Sequence, residues 1–195
     1  MRETAQRGHM RITLTALLLC LMSFALFFRD VGNPPDFLLD ESQYVGSANA
    51  LVAHSPNPNP EAPPLGKLIV AAGIKLFGDN PLGWRIMSVV FGALTVAGLF
   101  LWVQLLVEDY SIALIAAILA LLDNFIFVLA RAALMDIFLV GFVIFGLLAF
   151  TAALKLDNIS DAGRRAFFLM GGSVFRFRLR LQMEWCRYTR HRRCH

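Results

Sequence analysis

At 195 residues, 57% of them hydrophobic and only 16% charged, with a mean hydropathy of +0.62, the chain lies outside the range of soluble globular domains and reads as an integral membrane protein. Its formal charge of +4 misrepresents the body. Residues 171–195 hold seven Arg and one Glu, so of 18 basic and 14 acidic residues only 11 and 13 fall in residues 1–170. The body implies no nucleic-acid partner, and three cysteines (Cys20, Cys186 and Cys194) supply no disulfide framework.

A membrane span takes about 20 apolar residues, because a helix rises about 1.5 Å per residue across a hydrocarbon core of about 30 Å. Four runs meet or approach that length, which predicts an all-α, polytopic transmembrane protein with helices near 10–28, 82–107, 111–130 and 136–155. The first is read as a signal anchor, because Phe28, Arg29 and Asp30 are not a small-residue cleavage site. Residues 29–81 form a long loop. Its stretch "HSPNPNPEAPP" is an extended connector, since proline lacks the amide hydrogen and restricts the residue before it. On either side lie two short helical patterns. "FLLDESQYVGSANALVAH" opens with Asp40 and Glu41, while "LGKLIVAAGIKLFG" is too short to span and is expected to lie in the interface with Lys67 and Lys75 toward headgroups. The third span is interrupted by Asp123 and Asn124, and Arg131 and Asp136 stand between it and the fourth.

Orientation follows the basic residues flanking the spans. Arg2, Arg7 and Arg11 precede the first helix, and Lys155, Arg164 and Arg165 follow the fourth. Both groups are expected on the cytoplasmic side of the cell (inner) membrane. Loop 29–81 and the turn near 123–136 then face outward together. Asp40, Glu41, Lys67, Arg85, Arg131 and Asp136 can thus share one site, where carboxylates beside guanidinium and ammonium groups suit a lipid-linked phosphate and a hydroxyl that must lose its proton. Each charge taken singly could equally cap a helix or snorkel, and Asp123 with Asn124 fits a plain helix end.

Taken together, the Asp-Glu pair after the first span, "PPLGK" (63–67), "FGDNPLGWRIMSVVFGAL" (77–94) and "RAALMDIFL" (131–139) resemble the protein O-mannosyltransferase family of GT-C membrane glycosyltransferases, bacterial branch. The resemblance covers roughly residues 36–150, and its specificity lies in the order and spacing of four separate blocks. It implies transfer of mannose from a polyprenyl-phosphate carrier to Ser or Thr hydroxyls of exported proteins. The partners are then membrane lipid, a sugar donor and a protein acceptor, with no nucleic acid. In that frame Asp40 is the general base and Glu41 positions acceptor or sugar. Arg131 and Lys67 meet the donor phosphate, Asp136 orients Arg131, and Arg85 fits a helix-start anchor equally well. No cofactor is implied with certainty, and a divalent metal stays open. One departure is Ala62, where the family commonly has His. A related lipid-carrier transferase acting on lipid A or another glycolipid, or an inactive truncated membrane fragment, are the alternative readings.

The chain divides into residues 1–172, part of the glycosyltransferase domain, and a basic tail, 173–195. The tail's alternation of Phe or Leu with Arg admits an amphipathic strand, a nucleic-acid arm or an anionic-lipid patch. Its Cys and His residues match no usual zinc spacing. The genetic code offers a sharper account. Leu181 to Cys186, written NTG CAA ATG GAA TGG TGT and read one base later, becomes Cys-Lys-Trp-Asn-Gly, which resembles the Lys-Trp block of the family's next helix. The tail is therefore expected to be out-of-frame translation. The sequon Asn158-Ile159-Ser160 falls on the expected cytoplasmic side and is read as chance.

Overall fold

The structure, a computed structural model, describes residues 2–155 apart from 39, 57–58 and 60–63. The tail at 173–195, Arg164, Arg165, the Asn158 sequon and Ala62 lie outside the described residues. Within them the chain is helical throughout: α1 (Arg2–Phe28), α2 (Glu41–Val52), α3 (Pro64–Phe77), α4 (Pro81–Val107), α5 (Tyr110–Leu122), α6 (Asn124–Arg131) and α7 (Met135–Lys155).

α4 is the central post, packed against α1, α3, α5, α6 and α7. Its buried face presents Val89, Val96 and Phe100, which join Phe27 of α1 and Ile137 and Phe138 of α7 in one apolar cluster. Small residues let the long helices approach closely, as is usual where lipid offers no hydrophobic drive to association. A side chain at Gly98 would come within 2.9 Å of Phe145, and one at Gly141 within 3.0 Å of Thr95. The outward faces stay apolar, with Leu14, Leu17, Leu18 and Leu21 on α1 and Ile115, Leu119 and Leu122 on α5 all exposed. In water such a surface would be a liability, whereas hydrocarbon solvates it. Three helices, Gly8–Phe28, Pro81–Val107 and Met135–Lys155, are long and apolar enough to cross a membrane by themselves.

The third apolar run, expected as a span near 111–130 interrupted at Asp123 and Asn124, is two helices in the structure. α5 and α6 meet at a 60° bend. Asp123 is the cause: its backbone leaves the helix at φ −69°, ψ 121°, and its carboxylate accepts the amide of Ile126 at 2.9 Å, closing one helix and capping the next. α5 alone, at about 1.5 Å per residue, covers only about 20 Å. α6 continues at an angle, with Phe125 and Val128 exposed, so the pair has the form of a broken span or a re-entrant loop.

The motif "FGDNPLGWR" turns the chain from α3 into α4. Gly78 ends α3 at φ +89°, a left-handed conformation open to glycine at little cost. Asn80 then works in both directions, its Nδ2 donating to the Phe77 carbonyl at 2.8 Å and its Oδ1 accepting the Gly83 amide at 3.0 Å. Pro81 opens α4, where its missing amide hydrogen costs nothing. Gly83 faces the Gly78 carbonyl so closely that any side chain would collide with backbone. Asp79 ties the turn to its neighbours, accepting Trp84 Nε1 at 2.6 Å and Asn49 Nδ2 of α2 at 2.9 Å.

At the far end of the bundle Arg11 stacks 3.9 Å above the Tyr110 ring, and Lys155 Nζ donates to Glu108 Oε1 at 2.7 Å and to the Leu106 carbonyl at 2.8 Å. The Lys155 ammonium holds the Glu108 carboxyl below its ordinary range. Every residue expected at the shared site lies at the opposite end.

Candidate active site

The site is built around an ion pair. Arg85, one turn into α4, and Glu41, the first residue of α2, have no exposed side-chain surface, and two parallel hydrogen bonds join them: Nε to Oε1 at 2.9 Å and Nη2 to Oε2 at 2.8 Å. Arginine carries five N–H donors, and each one here has an acceptor. Nη1 donates to the carbonyls of Val31 (3.1 Å) and Pro34 (2.8 Å), and the second Nη2 hydrogen goes to Asp36 (2.8 Å). Glu41 in turn accepts the backbone amides of Leu38 at 2.7 Å and Ala133 at 2.6 Å. One guanidinium and one carboxylate thus fasten the loop after α1, the start of α2, the start of α4 and the turn before α7. A buried pair of this kind is stable only with every donor and lone pair engaged, and that condition is met.

This placement separates the Asp-Glu pair. Glu41 is enclosed and saturated with donors, whereas Asp40 is exposed, and the N-terminus of α2 makes no side-chain capping hydrogen bond to it. Asp40's carboxylate is available for other chemistry. The Glu41–Ala133 bond brings that end of α2 against the turn preceding Asp136, which is likewise exposed. Tyr44, four residues beyond Asp40 and half-buried, registers both acids. Its phenol is pushed above the ordinary range by burial first, then by the negative charges of Asp136 and Asp40. Asp40 and Asp136, read from the sequence as members of one site, both act electrostatically on this one side chain.

Two expectations are corrected. Lys67 does not point its ammonium toward headgroups. It is buried, donates to the Asn59 carbonyl, and pairs with no carboxylate among the described residues, and burial lowers its pKa. The reason lies next door, where Gly66 presses on Met135 so closely that a side chain there would overlap the sulfur, docking α3 on the start of α7. Lys75 does stay exposed. Second, no ion pair joins Arg131 to Asp136 among the described residues. Arg131 Nη2 instead donates to the Asp30 carbonyl at 3.2 Å and its guanidinium lies 5.0 Å over the Phe127 ring, because α6 ends at Arg131 and the chain turns through Ala132 to Leu134 before α7 begins. Arg131 remains partly exposed beside the same turn.

The sequence reading missed Arg85 as Glu41's partner and Tyr44 altogether. A charged residue one turn inside an apolar span must find a counter-charge, and Glu41 was a candidate acid in the outer loop. That signal could have identified the pair. Nothing in the sequence brings Tyr44 to Asp136. Among the described residues no group of three or more His, Cys, Asp or Glu could hold a metal ion.

Residues 61–177 match the family model described as dolichyl-phosphate-mannose-protein mannosyltransferase. The chain belongs to that family. Among similar proteins, the polyprenol-phosphate-mannose–protein mannosyltransferase of Corynebacterium glutamicum is 38% identical over 118 residues, covering 54% of this chain and 23% of that protein. The enzymes of the same name from Mycolicibacterium smegmatis and Mycobacterium tuberculosis are 31% and 33% identical over 186 and 149 residues, covering 90% and 73% of this chain. The chain thus spans 23% to 35% of the length of these relatives. No solved structure matches it. The family match takes in α3, the "FGDNPLGWR" turn, Arg85, Arg131 and Asp136, while the Asp40–Glu41 pair precedes it.

Proposed function

We propose that the chain forms the acceptor- and donor-facing end of a membrane glycosyltransferase that moves mannose from a polyprenyl-phosphate carrier to Ser or Thr hydroxyls of exported proteins. Asp40 is the general base. It takes the proton of the acceptor hydroxyl as that oxygen attacks the anomeric carbon, and the bond from that carbon to the phosphate oxygen breaks to release the polyprenyl phosphate. The observation that carries this assignment is the contrast within the Asp-Glu pair, where Glu41 is locked in the Arg85 clamp while Asp40, one residue away, is exposed and its carboxylate makes no capping hydrogen bond. Glu41 therefore acts as a positioning residue, through the backbone it holds.

Lys67 and Arg131 serve the departing phosphate. A buried ammonium with no carboxylate partner among the described residues gains most from an anion, and a guanidinium offers the planar fork that phosphate oxygens accept. The names of the similar mannosyltransferases support the lipid-linked donor and the protein acceptor. We place the N-terminus in the cytoplasm and the site on the outer face of the cell membrane, from the basic residues that flank the first and fourth crossings. The family match ends at residue 177, before the Arg-rich run is complete, and residues 173–195 are read as out-of-frame translation. Sequencing the gene tests it, and stops in the shifted frame would overturn it.

Membranes containing the chain, incubated with labelled polyprenyl-phosphate mannose and a Ser/Thr-rich peptide, test the assignment. Transfer is expected, and Asp40→Asn should lower it about 10²- to 10⁴-fold without loss of membrane insertion, because the amide keeps the shape but accepts no proton. Equal transfer by the Asp40→Asn protein refutes the role of Asp40. Absence of transfer from the unaltered chain, alongside transfer by a frame-restored version, favours a membrane part that works only with further spans.

A further inference from the structure

Tyr44 has no part in the chemistry above, yet its position is specific. It stands on the first turn of α2, four residues from Asp40, and residues so spaced along a helix have side chains about 5–6 Å apart. Its ring packs against the apolar core while the side chain stays half-buried. Two exposed carboxylates belong to the same region, Asp40 at the N-cap of α2 and Asp136 in the first turn of α7, the latter brought toward the start of α2 by the hydrogen bond from Ala133 to Glu41. Among the described residues its hydroxyl makes no hydrogen bond to protein.

Ionised carboxylates accept hydrogen bonds but donate none. Asp40 and Asp136 alone could grip the hydroxyl hydrogens of a sugar but could not satisfy an oxygen that needs a donor. Tyr44 supplies that missing donor, and because burial and the two acids resist its ionisation, it keeps its proton. If Asp40 removes the proton of the hydroxyl attacking the anomeric carbon, the sugar ring must lie within a few ångströms of Asp40, which is within reach of a phenol one helical turn away.

Building on the reading of Asp40 as general base, we propose that Tyr44 is a sugar-binding residue of the donor site, its hydroxyl donating to an oxygen of the transferred hexose between Asp40 and Asp136. Its contribution is to recognition of the sugar and not of the carrier lipid.

The test compares equilibrium binding of two probes, polyprenyl-phosphate mannose and the same polyprenyl phosphate without sugar, to the full chain in nanodiscs. Tyr44→Phe, which keeps the ring and its packing, should weaken the mannosylated lipid about fivefold, the worth of one neutral hydrogen bond, and leave the bare lipid unchanged. Equal affinities of the Tyr44→Phe and unaltered chains for both probes overturn the proposal, as does equal weakening of both. Failure of the unaltered chain to prefer the mannosylated lipid overturns the donor-site reading itself, and the proposal with it, so the two failures are distinguishable.

Discussion

Replacing Arg85 with Met tests whether the Glu41–Arg85 clamp holds the outer segments together. The substitution keeps an unbranched chain of similar length but removes all five donors. Glu41 then retains two of its four donors, the amides of Leu38 and Ala133, and the carbonyls of Val31, Pro34 and Asp36 lose theirs. Because both side chains are fully enclosed, screening by water gives little relief, and breaking such a pair from one side costs about 3–5 kcal/mol. Glu41→Gln keeps a hydrogen-bonding oxygen but leaves the guanidinium unneutralised, at a comparable cost. Adding Glu41→Gln to Arg85→Met removes the stranded charge, so the double variant should be more stable than the sum of the single losses by at least about 2 kcal/mol. Unfolding in detergent micelles by SDS titration, followed by tryptophan fluorescence, reads these differences, with Trp84 next to the clamp as a natural reporter. Single-variant losses that add within about 0.5 kcal/mol would show that the two groups are not coupled, and the account of the clamp would fail.

Lys67→Met should leave the protein as stable or more stable, since it removes a buried cation whose pKa is already lowered by desolvation, yet weaken polyprenyl-phosphate binding at least about tenfold; unchanged lipid binding would remove Lys67 from the phosphate site. By the same logic the destabilising charge is present below the folded pKa and relieved as pH rises through it, so the unaltered protein should gain stability at alkaline pH relative to Lys67→Met, measured by the same SDS titration. Asp123→Ala should cost about 1 kcal/mol through loss of the α6 cap with transfer retained, whereas loss of transfer would move the active centre toward Asp123. Cysteines introduced in turn at His54 and Glu108, in a chain cleared of its own, should react with an impermeant reagent from outside and only after permeabilisation, respectively; labelling of both from one side would overturn the topology.

Much of this architecture is legible in residue order. Long apolar runs separated by charge specify crossings because a helix alone satisfies its backbone in hydrocarbon, and the three straight spans lie close to where those runs predict them. Asp123 was readable as a helix end, since its short acidic side chain caps an N-terminus better than it tolerates a membrane-embedded helix interior. The length of the apolar run concealed the bend, because composition reports how many residues can sit in lipid and not the angle at which they do so.

The rest required distant segments to meet. Asp40 and Glu41 are adjacent acids with the same local environment in sequence, and nothing there tells which is free. Only the arrival of Arg85 from α4 and the Ala133 amide from the turn before α7 encloses Glu41 and leaves its neighbour open. Lys67 likewise looked like a headgroup anchor from its place on a short helix. The contact between Gly66 and Met135 buries it, because a glycine lets two helices close to a distance that no pattern along one helix encodes. Local chemistry determined which residues carry charge, and tertiary packing decided which of those charges are neutralised within the protein.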